Sequence, residues 1–230
     1  MMNGQLSKNI RAIVTVVLCL LAVSGIALFA TVNLSPLFIH LPARGQFNLG
    51  EGVIRADYCR LLVYLQQPWP TRLSLANIPL SSHAGDHFRD VRHLLLIGEA
   101  VGLVSMVLGV WLLAKQKRQG QLLSVLLPLK WLFYMIVMTV WIPLINFSRD
   151  FVCFHQLLFN NQDWIFVPSR DPIILVMPEE FFWHLFIIFV VIAITLLLLL
   201  WGWLASQLGL FKLRTDKTDD GRNQGYHDNS

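Results

Sequence analysis

Four stretches of this chain are apolar over a length sufficient to cross a bilayer, and no other feature limits its fold as strongly. They run roughly from Ile10 to Asn33, His93 to Ala114, Leu122 to Phe147 and Trp183 to Phe211. A bilayer core takes about 20 helical residues to span. The composition agrees, with 55% of residues hydrophobic and 14% charged, where soluble domains carry about 25% charged residues. The expected fold is an all-α polytopic membrane protein: four transmembrane helices with a cap of short helices and loops.

The first window differs from a secretory signal. Lys8 and Arg11 precede it, but its apolar core from Ala12 to Val32 is too long and no A-x-A site closes it. Orientation follows from basic residues in short loops. Lys8 and Arg11 lie before the first window, Lys115, Lys117 and Arg118 between the second and third, and Lys212 and Arg214 after the fourth. Both termini are therefore expected in the cytoplasm. The six arginines between Asn33 and Arg92 carry little weight, because long segments translocate largely regardless of charge. Residues 212–230 form a tail too polar to bury a core, expected to be disordered and cytoplasmic. The net charge of +4 suits orientation and anionic lipid. No basic stripe interleaved with aromatics points to nucleic acid.

Any chemistry then falls to two external segments, 34–92 and 148–182. In the first, Ile54, Tyr58, Leu61, Leu62 and Leu65 are spaced as one face of a helix over Leu49 to Gln67, ending before Pro68. Trp69 to Ser82 reads as a loop or hairpin, and from Ser82 the helical pattern runs unbroken into the second span. In the second, Phe151, Phe154, His155, Leu158 and Phe159 make an aromatic helical face that Asn160 and Asn161 end. Pro168, Pro172 and Pro178 are expected to keep the remainder extended, along the headgroup layer.

The stretch SHAGDHFRDVRH, Ser82 to His93, gathers titratable side chains at the mouth of the second span. His83, His87, Asp90 and Leu94 share a helix face by their spacing. One reading is a metal-dependent hydrolase, with His83 and His87 on one cation and Asp90 a turn further on. Helical metalloproteases carry a glutamate after the first histidine, where this chain has Ala84. Another is a non-catalytic tetraspan scaffold, although the paired external cysteine motifs of adhesion versions are missing. His40, His93, His184 and His227 fit interfacial anchors. Pairs such as Arg89 with Asp90 or Arg149 with Asp150 fit solvated surface charge. Lys130, inside the third span, is expected to make an interhelical hydrogen bond. Cys59 and Cys153 fall in the two external segments with no spacing signature that would pair them.

The two external blocks together resemble the signature regions of the bacterial lipoprotein intramolecular transacylase family. The first is His87-Phe88-Arg89-Asp90-Val91, leading into the second span. The second comprises Phe154-His155, Phe159-Asn160-Asn161, Trp164, Asp171, Ile174 and Pro178 to Phe182. Phe88 replaces the family's methionine, and Ala84 stands where an acidic residue is expected. The resemblance extends to the four-span layout and the Tyr58 to Leu65 helix and leaves out the cytoplasmic tail.

It implies an enzyme of the bacterial plasma membrane with its active site on the external face. The implied reaction moves the sn-2 acyl chain of a diacylglyceryl lipoprotein to the α-amino group of its N-terminal cysteine, giving the lyso form. Lipoprotein and membrane lipid are the implied partners, and neither cofactor nor metal is needed. His87, paired with Asp90 or Asp86, is the expected base, and His155 the group that stabilises the oxyanion and protonates the leaving oxygen; the reverse assignment is equally compatible. Arg89 and Arg149 are candidates for holding negative charge. Phe154, Asn160, Trp164 and Asp171 are expected to line the substrate site.

Overall fold

A computed structural model describes residues 2–41, 49–69 and 72–210, which form helices and no strands. In chain order these are α1 (Met2–Leu34), α2 (Glu51–Gln66), α3 (Ser82–Arg118), α4 (Leu123–Ile145), α5 (Phe147–Leu158), α6 (Ile173–Val176) and α7 (Glu179–Gln207). A short 3-10 turn, Ser35–Leu37, follows α1. Four helices are long and apolar enough to cross a membrane: α1, α3, α4 and α7. The polar stretch 212–230 lies outside the described residues, as does His227.

Local sequence accounts for the helix ends. The Ser81 side chain accepts a hydrogen bond from the Ala84 N–H and caps α3. Lys115, Lys117 and Arg118 occupy the last turn of α3, where the helix dipole favours cations. Gly120, at φ 65°, takes the left-handed conformation that stops it. At about 1.5 Å per residue, α3 is nearly twice the length that a hydrocarbon core requires, so its first turns stand clear of the apolar window at His93 to Ala114. The Asn146 side chain caps α5 by accepting from the Arg149 N–H, and Asp150 sits in the first turn.

The α1–α3 pair is the spine. A Cβ on Gly25 or Gly102 would stand 2.6 Å from the other glycine's Cα, so the two backbones touch where they cross. Gly109 and Ser105 continue the small-residue face of α3, the means by which membrane helices gain close van der Waals packing. Further toward the α3–α4 turn, Gln116 donates to Thr15 at 2.5 Å and Arg11 donates to Gln119 at 2.7 Å. Around these polar ties the packing is apolar, with Val16, Leu113, Val125, Leu129, Leu197 and Leu204 in one buried cluster.

A second cluster lies at the opposite end, the cap. Ile54, Tyr58 and Leu61 of α2 pack there with Ile78, Phe88, Ile173, Val176 and Phe181. Asp57, fully buried on α2, accepts from the backbone N–H groups of Ala76, Asn77 and Ile78 and pairs with Arg60 at 2.5 Å. Burial pushes its carboxyl up, but these donors outweigh that and hold it below the usual carboxylate range. The loop after α2 is thus pinned from within.

Two expectations change. The stretch after Asn161 is not wholly extended: behind Pro172 it closes one helical turn, α6, with the Ile174 N–H bonded to the Asp171 carbonyl. Proline at a helix start loses no intrahelical bond, so it initiates this turn instead of preventing it. Among the described residues Lys130 makes no interhelical hydrogen bond and lies over the Tyr134 ring one turn along α4, 5.8 Å from its centroid. Its side chain is exposed on the outward face of the helix, where its own neighbour on α4 is the group that meets it.

Candidate active site

Between the cap and the upper turns of the spanning helices is a cavity of about 610 Å³. Leu28, Thr31 and Ser35 of the first helix and its turn line one side, Leu94 and Leu95 of α3 another, and Phe186 and Phe189 of α7 a third. The lining is almost entirely apolar. His87 and His155 both open onto it, with ring centroids 5.9 Å apart.

Each histidine reaches this point for a local reason. His87 lies in the second turn of α3, on the side that faces the cap, and is 7% exposed. Rings enclose it: Phe159 at 4.9 Å and Phe166 at 5.5 Å, both edge-on. His155 is the last-turn histidine of the strongly amphipathic α5 and is 9% exposed. Phe151 at 4.2 Å and Trp164 at 5.1 Å flank it.

Hydrogen bonding distinguishes the two. The His155 Nδ1 lies 2.7 Å from the Phe151 carbonyl oxygen. A carbonyl only accepts, so Nδ1 carries the proton and a neutral ring presents its lone pair at Nε2. The His87 Nδ1 is buried without a partner among the described residues. Burial, then the neighbouring His155, pulls the His87 pKa down to about 4, against the opposing pull of Asp90 and Asp163. Burial also lowers that of His155, opposed by the Phe151 carbonyl. Both rings are therefore neutral at neutral pH.

The cavity thus holds an aligned proton acceptor and a second imidazole whose Nδ1 has no partner among the described residues, in an apolar setting. Thr31 adds another unsatisfied group. Thr15, Thr139 and Thr195 each donate to the carbonyl one turn back, whereas the Thr31 hydroxyl is buried with no partner among the described residues.

The remaining expected residues divide. Phe154 and Trp164 line the cavity. Asn160 is exposed and outside the lining, and Asp171 is buried on Ser81. Neither supposed carboxylate partner bonds His87: Asp86 pairs with Arg89 at 2.8 Å, and Asp90 accepts from Asn161 at 3.1 Å. Arg149 and Arg89 are exposed and do not line the cavity. His83 turns from His87 to meet Asp163 at 2.7 Å. Among the described residues no three His, Cys, Asp or Glu side chains come together to hold a metal ion, so the arrangement that the hydrolase reading requires does not form. Cys59 and Cys153 are both free and exposed. Sequence reasoning missed Phe166 as a wall of His87 and Thr31 as a polar lining group. The two-residue spacing of Trp164 and Phe166 in WIFVP, which puts both rings on one side of an extended segment, is the available signal for Phe166; nothing in the first apolar run marks Thr31.

Solved structures share this fold. The membrane integral lipoprotein intramolecular transacylase Lit from Bacillus cereus superposes with a TM-score of 0.75 at 24% identity, covering 90% of this chain and 98% of that one. Versions of that protein with a histidine-to-arginine or a histidine-to-alanine substitution superpose with a TM-score of 0.72 at 23% identity. They cover 93% and 92% of this chain and 96% and 98% of their own. No curated protein matches the chain. The family model for lipoprotein intramolecular transacylase Lit matches residues 10–182, a span that takes in the cavity's two histidines and most of its walls. The chain belongs to the Lit family of lipoprotein intramolecular transacylases, and is an acyltransferase of the membrane.

Proposed function

We propose that this protein moves the sn-2 acyl chain of a diacylglyceryl lipoprotein to the α-amino group of the same molecule's N-terminal cysteine. The observation that carries the reading is the pair of buried imidazoles, 5.9 Å apart, at one end of an apolar cavity between membrane helices. Acyl chains suit the lower lining, and the polar glyceryl and amino groups suit the end where the histidines sit.

His155 is the base, the reverse of the first assignment above. Its Nε2 lone pair is fixed by the Nδ1–H bond to Phe151, and that carbonyl also stabilises the imidazolium that forms. The substrate α-ammonium has an ordinary pKa of about 7.7 to 8.0 and must lose a proton to become a nucleophile. His155 takes it. The amine nitrogen then attacks the sn-2 carbonyl carbon, the C–N bond forms, and the carbonyl oxygen becomes an oxyanion. His87, neutral through burial, donates an N–H to that oxyanion, as a neutral imidazole does when its pKa is driven down. The nitrogen gives up its second proton to solvent as the C–O bond breaks, and the His155 imidazolium protonates the glyceryl oxygen. One proton is released per turnover.

No protein nucleophile is required, because amine and ester already belong to one molecule. Phe154 and Trp164 line the site, and Arg89, paired with Asp86, and Arg149 lie outside its lining. The basic α3–α4 turn supports a bacterial plasma membrane placement with the cap outside. Export-dependent reporters fused after Trp69 should then be active, and those after Lys117 inactive.

The test is expression in a bacterial host that lacks lipoprotein N-acylation, with mass spectrometry of a lipoprotein's N-terminal peptide. Migration leaves the mass of the diacyl form unchanged and moves one acyl chain to the amino group on fragmentation. Fragments identical to those of the untransformed host would refute the reading.

A further inference from the structure

Residues 161–171 lie against the first turns of α3 and are tied to them at three points. The Asn161 amide donates to Asp90 at 3.1 Å, and Asp163 pairs with His83 at 2.7 Å. Both ties face solvent, the His83 side chain being 72% exposed, and exposed pairs of this kind contribute little. The third tie is buried. Asp171, 4% exposed, accepts the Ser81 N–H at 2.8 Å on one carboxylate oxygen and the Ser81 hydroxyl at 3.0 Å on the other. That same hydroxyl oxygen accepts the Ala84 N–H at 3.1 Å and caps α3. A hydroxyl has one proton, and with it committed to Asp171 the lone pair is aimed at the helix.

The two ends of this relay lead to the reacting groups. From Ser81, fewer than two turns of α3 reach His87. From Asp171, whose N–H is bonded to the Val167 carbonyl at 2.8 Å, the chain leads straight back to Phe166 and Trp164, which flank His87 and His155. A buried carboxylate is stable only while its hydrogen bonds persist.

We propose that Asp171 is a positioning residue of the transacylation: through Ser81 it fixes the start of α3, and with it His87, against the segment that carries Phe166 and Trp164. Its effect on rate rests on the transacylase reading; the clasp itself does not.

The test uses the full chain in lipid nanodiscs with a synthetic diacylglyceryl lipopeptide. D171A should lower kcat by about 10- to 100-fold, the scale on which small misplacement of reacting groups acts. KM should change little, since Asp171 does not line the cavity. S81A and D171S should be impaired in the same way. The exchange S81D/D171S keeps a carboxylate and a hydroxyl facing each other and leaves a good N-cap on α3, so kcat should recover to within a few-fold of wild type. A rise in KM for D171A, with the exchange no better than D171S, would mean that Asp171 touches substrate and overturn the proposal. Unchanged kcat in D171A would also overturn it.

Amide hydrogen exchange separates this from a failure of the function assignment, because it needs no turnover. D171A should speed exchange at residues 84–88 and 164–167 together by about tenfold, as expected when one cooperative unit is loosened, while H83A should leave both blocks unchanged. Wild-type protection in D171A would sink the clasp whatever reaction the protein performs.

Discussion

The two halves of the α1–α3 pair are built from the same helices and treat their polar groups in opposite ways. Toward the α3–α4 turn, Thr15 meets Gln116, Arg11 meets Gln119, and small residues bring the backbones into contact at Gly25 and Gly102. Toward the cap, the helices line a cavity, and the Thr31 hydroxyl and the His87 Nδ1 are left buried without partners among the described residues. An unsatisfied buried polar group costs about 1–3 kcal/mol. The closed half avoids that penalty, whereas the open half carries it where a substrate ester and amine would supply the missing partners.

The largest effect should come from the open half. H87A and H155A should each lower kcat by about 10²- to 10⁴-fold, the usual range for a general acid or base, with protein levels unchanged on a blot. Because the two rings serve one step, the double variant should be scarcely worse than the poorer single. In the closed half T15V should leave kcat at the wild-type value and show only in thermal melting.

Acid should then separate the halves by stability. His87 binds a proton at about 6.5 when unfolded and at about 4 when folded. Between those values the unfolded chain holds more protons, so stability is complete above about pH 6.5 and falls as the pH drops toward 4. The loss is on the order of 3 kcal/mol for this one group, and His155 adds to it in the same direction. Melting curves of H87F against wild type should show a shallower decline over that window. Equal slopes would mean that His87 takes up its proton as readily in the folded protein as in the unfolded chain.

Gly102→Ala strikes the closed half. Its Cβ would stand 2.6 Å from the Gly25 Cα, backbone against backbone, and overpacking of this kind costs about 1–3 kcal/mol. The melting temperature should fall by several degrees while the kcat of the folded fraction is retained. Smallest of all is H83A. Its exposed pair with Asp163 is worth under about 1 kcal/mol, and activity should stay within about twofold of wild type, whereas a metal site on His83 and His87 would make the two variants equally damaging.

What the sequence discloses follows the same division. Apolar runs define spanning helices because the bilayer demands them, and the helical pattern from Ser82 into the second apolar run forms one continuous helix, α3. The spacing of Phe151, Phe154 and His155 likewise marks α5 and its cavity-facing side. Partners are less legible. Spacing on α3 puts Asp86 and Asp90 near His87, but Arg89 from the same helix takes one and Asn161 from the other segment takes the other. The family resemblance assigns Asp171 to the substrate lining, while its carboxylate is engaged by Ser81, 90 positions earlier in the chain. Helix periodicity states which residues share a face and says nothing of which distant donor arrives to meet them. The roles of the two histidines stay open in the sequence for the same reason, and it is the Phe151 carbonyl that fixes the His155 tautomer.

Transfer of an acyl chain within one lipoprotein molecule by the pair of histidines is open to a direct isotope experiment. Purified protein in nanodiscs is given two lipopeptides of different peptide mass, only one carrying a deuterated sn-2 chain, and the products are fragmented by mass spectrometry. Wild type should place all the deuterated chain on the amino group of the lipopeptide that brought it, with no crossover and no free deuterated fatty acid, and H155A should leave it on the glyceryl oxygen. Free deuterated fatty acid would identify a hydrolase, and deuterium on the second lipopeptide would identify an intermolecular transfer; either result would contradict the account.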